Sequence, residues 1–110
     1  MSITSALILE TDTTLLTVPS SKRYAITTVI VCNYASTADT ANDSFFDMHL
    51  VKGSGGVKSD TNKILNNVSL PAQDTFTFSA ERIILDEGDR VILLSTDPDK
   101  ISATVSYLEV

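Results

Sequence analysis

The chain holds one histidine, one cysteine and no tryptophan, so any catalytic or metal chemistry would have to be built mainly from carboxylates and hydroxyls. His49 follows Asp47 by two residues, and residues i and i+2 of an extended segment lie on one face. The pair therefore offers an imidazole that a carboxylate can orient. A hydrolytic site would also need a nucleophile held against that imidazole, and no nucleophile elbow accompanies the pair. A solvated polar pair on the outer face of a strand is the expectation. Zinc requires at least three suitable ligands, and Cys32 and His49 are the only soft donors, so no structural zinc site is expected. Cys32 has no partner for an internal disulfide, and its place in Val29-Ile30-Val31-Cys32 suits a small core hydrophobe better than a reactive thiol.

Two acidic stretches offer hard oxygen ligands of the kind calcium takes: Asp86, Glu87 and Asp89 in one, Asp97 and Asp99 in the other. They flank the single apolar run 91–95 and so belong at its opposite ends, which makes turn chemistry the better account of both. The run Gly53-Ser54-Gly55-Gly56-Val57-Lys58-Ser59 has the glycines of a phosphate-cradling loop. It lacks the required spacing and the helix N-terminus that must follow. Glycan binding usually relies on exposed aromatics, and Tyr34, Phe45 and Tyr107 are the only candidates for a surface position. No catalytic, cofactor-binding or metal-binding residue is assigned from the sequence, and an enzyme is not expected.

The elements that would position these groups are strands. Thr, Ser, Val and Ile dominate, and no helix-forming cluster carries a 3.6-residue apolar stripe. At 110 residues, with hydrophobic residues making up 43%, the chain fits one domain able to bury a core without disulfides or metals. Residues 1–5 lack the pattern of a signal peptide and no apolar run approaches membrane-spanning length, so a soluble chain with no membrane association is expected. Eight Lys and Arg against fourteen Asp and Glu give a net charge of −6 without a basic block, which disfavours nucleic acid as a partner.

Strand-like runs recur along the chain with turn signals between them, and an antiparallel two-sheet β-sandwich of about eight strands, jelly-roll-like, is expected. Residues 3–10 and 13–18 are placed to form a hairpin, and the first few residues could instead be a loosely held arm. The longest run, 24–34, is apolar on both faces near its middle, as for a central strand covered on both sides or one that meets a subunit interface. Residues 35–44 and 53–60 are loops. The last third is expected to supply three consecutive antiparallel strands joined by tight turns at 86–89 and 97–100. Leu70-Pro71-Ala72-Gln73-Asp74 and Leu85-Asp86-Glu87-Gly88-Asp89 share one frame: a strand end, a turn, then an Asp able to accept from nearby backbone N–H groups before a fresh strand.

Taken together, Val18-Pro19-Ser20-Ser21-Lys22, the apolar strand from Tyr24 that ends at Asn33, Val68 to Asp74, Ile84 to Val91 and the closing Ser102 to Val110 resemble the small β-sandwich proteins among the virion genes of tailed bacteriophages. The resemblance covers residues 15–110 as a pattern of turns and strands. Residues 1–14 fall outside it as an N-terminal strand or arm, a candidate for strand addition to a neighbouring subunit. The resemblance implies a non-enzymatic virion component without cofactors, present in many copies as a homo-oligomer. Its partners would be other virion proteins of the capsid, neck or tail. The competing class is a carbohydrate-binding or receptor-binding module of a tail fibre.

Overall fold

Runs of β-branched and hydroxyl residues favour extended backbone because their side chains pack well on a pleated surface. A computed structural model describes residues 2–53, 55–96 and 100–110, with residues 80–82 described by backbone alone. Eight strands lie among the described residues: β1 (Ser2–Ile8), β2 (Thr13–Thr17), β3 (Tyr24–Asn33), β4 (Ser44–Val51), β5 (Lys63–Leu70), β6 (Thr75–Leu85), β7 (Arg90–Ser95) and β8 (Ile101–Glu109). They form two four-stranded antiparallel sheets. Sheet A has the order β1-β8-β3-β6 and sheet B the order β2-β7-β4-β5. The expected all-β sandwich is thus the observed fold, and these orders are the jelly-roll winding, in which the chain passes repeatedly from one sheet to the other.

That winding corrects two local expectations. Residues 3–10 and 13–18 do not form a hairpin: β1 pairs with β8, from Ser2 opposite Tyr107 to Ile8 opposite Ile101, and β2 pairs with β7. The runs of the last third are not mutual neighbours either, because β6 and β8 lie in sheet A while β7 lies in sheet B. A strand with one apolar face needs a core to bury it, and a tight turn can cross to the opposite sheet as readily as it can reverse within one. Residues 75–79 and 83–85 belong to one strand, β6, whose pairing with β3 shifts register between Ile26 and Thr28. Of the turn expected at 97–100, residues 97–99 lie outside the described residues.

The same irregularity recurs in the pairing of β3 with β8 and settles which face of β3 is inward. Strict alternation groups Ile26 with Thr28, Ile30 and Cys32. The bulge at Thr27 instead turns Ile26 inward with Val29 and Val31, where they join Ala103 and Val105 of β8 and Phe46, Met48, Val91 and Leu93 of sheet B in the core. Phe46 and Phe76 meet edge to face at 5.6 Å. Full burial of side chains of this size contributes about 1.5–3 kcal/mol each.

Three turns close the sandwich with one geometry. Lys22 N–H donates to Pro19 O at 3.2 Å, Asp74 N–H to Pro71 O at 3.0 Å, and Asp89 N–H to Asp86 O at 3.0 Å. The third residue of each has positive φ: Ser21 at 63°, Gln73 at 67° and Gly88 at 81°. This is the mark of a type II turn, whose third position favours glycine, and one of the three has it.

At the end of the sandwich where β3 finishes, Asn33 is 1% exposed. Its Nδ2 donates to Asn42 O at 2.8 Å and to Leu70 O at 3.0 Å, and its Oδ1 accepts from Ala35 N–H at 3.1 Å. A strand of sheet A is thereby tied to the end of β5 in sheet B. Asn33→Asp removes both donors without changing size and turns a carboxylate toward two carbonyls. It is expected to lower unfolding stability by about 3 kcal/mol, read as a fall in the urea midpoint at constant slope. Asn66→Asp, at an exposed position, should stay within about 0.5 kcal/mol. The turns supply a second test. Ser21→Gly should raise stability by about 0.5–1 kcal/mol by relieving a left-handed non-glycine residue, whereas Gly88→Ser should lower it; equal effects of the two would refute the turn assignment.

Candidate functional surface

His49 is not the solvated residue expected from alternation. It is 2% exposed, and its neighbour Met48 is buried beside it. The ring lies on the outer face of sheet B, opposite Ile92 in the register with β7. With Ile92 and Val51 it forms a small buried group apart from the main core. The cover is the glycine-bearing segment after β4, which folds back over the sheet: Arg90 Nη2 donates to Gly56 O at 2.7 Å. Asn62 fastens this cover. Its Nδ2 donates to Val57 O at 2.8 Å, while its Oδ1 accepts from Ser59 N–H at 3.1 Å and from His49 Nδ1 at 2.8 Å. Oδ1 only accepts, so Nδ1 carries a proton. Nε2 is buried, with no hydrogen-bond partner among the described residues. Asp47 does not orient the imidazole. It accepts from Asn67 N–H at 2.6 Å and lies 3.7 Å from Lys63 Nζ. The two residues of the sequence pair are thus built into separate structural contacts.

The acidic turn at 86–89 is equally absorbed. Asp89, 8% exposed, accepts from Asp86 N–H at 3.0 Å and from Gly53 N–H at 2.9 Å. Charge-assisted bonds of this kind satisfy a buried carboxylate and pin two loops together. The loops meet glycine to glycine: a Cβ on Gly53 would come within 2.4 Å of the Gly88 carbonyl carbon. Glu87 accepts from Ser21 N–H at 2.8 Å, and Asp86 pairs with Arg23 at 2.8 Å. All three carboxylates considered for calcium in this loop therefore serve the turn. Asp97 and Asp99 lie outside the described residues. Among the described residues, no three His, Cys, Asp or Glu side chains form a group able to hold a metal ion. Lys58 pairs with Asp12 at 3.2 Å, and a single 3-10 turn, Asp60–Asn62, leads from the glycine loop into β5, so the described residues after the loop hold no α-helix whose N-terminus could cradle a phosphate.

Two other sequence candidates change place. Tyr107 packs against the core and stacks on Tyr24 at 4.5 Å, leaving Tyr34 and Phe45 exposed at either end of the 35–44 segment. Cys32 is partly exposed on the outer face of sheet A, because the bulge at Thr27 gives the inward positions to Val29, Val31 and Asn33.

That outer face presents one continuous pattern across the four strands of sheet A. The registers align four rows across it: Leu7, Ser102, Cys32 and Thr75; Ser5, Thr104, Ile30 and Thr77; Ile3, Ser106, Thr28 and Ser79; then Leu108, Ala25 and Ile84. None of these side chains is charged. Hydroxyls pair along it, Ser5 Oγ with Thr104 Oγ1 at 2.8 Å, and Thr27 Oγ1 donates to Ser106 O at 3.1 Å. Ile3, Leu7, Ile30, Ile84 and Leu108 stand exposed among them. The described charged contacts lie elsewhere, at the strand ends and over sheet B. The sequence signal for this face was present in the doubly apolar run 24–34. It could not be completed because the partners of that run, β1, β6 and β8, are distant in sequence.

Comparison with known proteins returns no matching family, no matching curated protein and no matching solved structure.

The burial of His49 is testable without knowing a ligand. His49→Ala is expected to cost about 2–4 kcal/mol by opening a cavity and freeing the cover segment, and to bring limited proteolysis into residues 53–62. A solvated histidine would change stability by less than about 0.5 kcal/mol and leave the proteolytic pattern alone.

Proposed function

We propose that the chain is a non-enzymatic virion structural protein of a tailed bacteriophage, a multi-copy jelly-roll module that decorates or joins capsid, neck or tail components through protein contacts. The observation that carries this reading is the outer face of sheet A, whose described side chains are uncharged across all four strands of a chain whose net charge is −6. An outer sheet face that meets only water normally alternates into charged and polar residues, whereas depletion of charge marks the centre of protein interfaces. The virion assignment adds the turn and strand pattern that resembles small phage sandwich proteins. The buried ties at Asn33 and Asp89 suit a rigid module whose contribution is shape.

A second reading, a carbohydrate-binding or receptor-binding module of a tail fibre, rests on Tyr34 and Phe45, which are exposed. The two readings separate on one experiment. In particles purified from a lysate carrying the gene, the chain is expected by quantitative mass spectrometry at a fixed ratio to a capsid or tail protein, and recombinant chain should show no binding on a glycan array. Recovery only outside particles would overturn the virion reading. Glycan binding that is lost with Tyr34→Ala or Phe45→Ala would favour the second.

A further inference from the structure

We propose that the outer face of sheet A is a self-association surface, and that its occupant is the same face of a second copy packed about a twofold axis near Ile30 and Thr104. The proposal rests on the multi-copy reading above and names the surface through which copies meet.

Charge is the first argument. Two copies each of net charge −6 repel over most of their surfaces, and that repulsion is least where neither presents an ionised group. The described side chains of this face present none across four strands. A basic protein would be drawn to the acidic turns at the strand ends instead, so the charge pattern favours the copy over a cationic partner.

The second argument is self-complementarity. In an isologous contact the same patch must satisfy itself. Ser and Thr hydroxyls donate and accept alike, so a field of Ser5, Thr28, Thr77, Thr104 and Ser106 can pair with its own image. A patch of single-sign charges could not. The exposed Ile30, at 41%, stands inside this field and supplies apolar surface near the axis, with Leu7, Ile3 and Leu108 toward the margin.

Area is the third. Strands about 4.8 Å apart and rows about 6.8 Å apart give the face a flat extent of about 500 Å². Two copies would bury about 1,000 Å² together, the lower bound of specific interfaces. The dimer should therefore be reversible and concentration-dependent.

The test uses the full chain. Analytical ultracentrifugation of the wild type is expected to show a monomer–dimer equilibrium. Ile30→Lys should raise the dimer dissociation constant by about 100-fold or more, because the axis brings the two like charges together. The same substitution lowers the net negative charge, so added general repulsion cannot explain a loss of dimer. Ile64→Lys, at a 39% exposed isoleucine of sheet B, should leave the equilibrium unchanged, and circular dichroism checks that both variants fold. Cys32, the only cysteine and a member of this face, gives an independent readout: its alkylation should slow as wild-type concentration rises and stay constant for Ile30→Lys. A wild type that remains monomeric at its highest soluble concentration, or a dimer untouched by Ile30→Lys, would overturn the inference. In either case particle incorporation, measured separately, still decides the virion reading.

Discussion

The two hydrogen bonds that Asn33 Nδ2 donates to Asn42 O and Leu70 O are the contact on which one end of the fold depends. In a jelly roll most connections cross between sheets, so each end of the sandwich collects chain segments whose carbonyls and N–H groups leave a ladder without a neighbour. Buried groups of that kind cost about 1–3 kcal/mol each when unpaired. Asn33 answers this with one amide that donates twice and accepts once. Neighbouring bonds follow its lead: Asn33 N–H donates to Asp74 O and Tyr34 N–H to Lys100 O, both at 2.9 Å. At the opposite end the Asp89 carboxylate does the corresponding work as an acceptor. There Val18 N–H donates to Asp89 O and Gly88 N–H to Val18 O, which locks the β2–β3 connection against the β6–β7 turn.

The two ends differ in how far they tolerate change. The Asp89 end depends on a close backbone approach between Gly53 and Gly88, which leaves no room for a side chain at Gly53. The Asn33 end contains no such approach and depends on amide chemistry, which no other side chain of that size supplies. One end is therefore constrained by volume and the other by hydrogen-bond polarity. Both constraints act on positions that carry no functional group in the usual sense.

The strands, the Leu70 to Asp74 and Leu85 to Asp89 frames and the sandwich class were legible because they rest on local rules: alternation, β-branched content and turn residues. Pairing was not, since a tight acidic turn looks the same whether it reverses a strand or crosses to the other sheet. The third turn of the set, Pro19 to Lys22, escaped recognition as their counterpart because Val18 and Lys22 stand where the other two carry the leucine and the aspartate of the shared frame. Cys32 was assigned to the wrong face because period-two alternation holds only while the register is unbroken, and the bulge at Thr27 breaks it. His49 does lie on the outer face that alternation gives it; its burial required Asn62 and Gly56 to return over the sheet, a tertiary event without a local signature.

The placement of charge sets the two outer faces of the sandwich apart. A jelly roll has two outer faces of similar size, and nothing in its topology makes them differ. Here one is covered by a glycine-bearing segment and carries Asp47 and Lys63 within ion-pair distance at 3.7 Å. The other is bare of charge among its described side chains and mixes hydroxyls with exposed isoleucines and leucines. Hydroxyl side chains lose little rotamer freedom when ordered, whereas long charged side chains lose more. A face of Ser, Thr and Ile on a rigid sheet can therefore be covered at low entropic cost, while the charged strand ends keep other approaches unfavourable. This asymmetry between two topologically equivalent faces is the physical ground on which self-association through sheet A, and not through sheet B, is proposed.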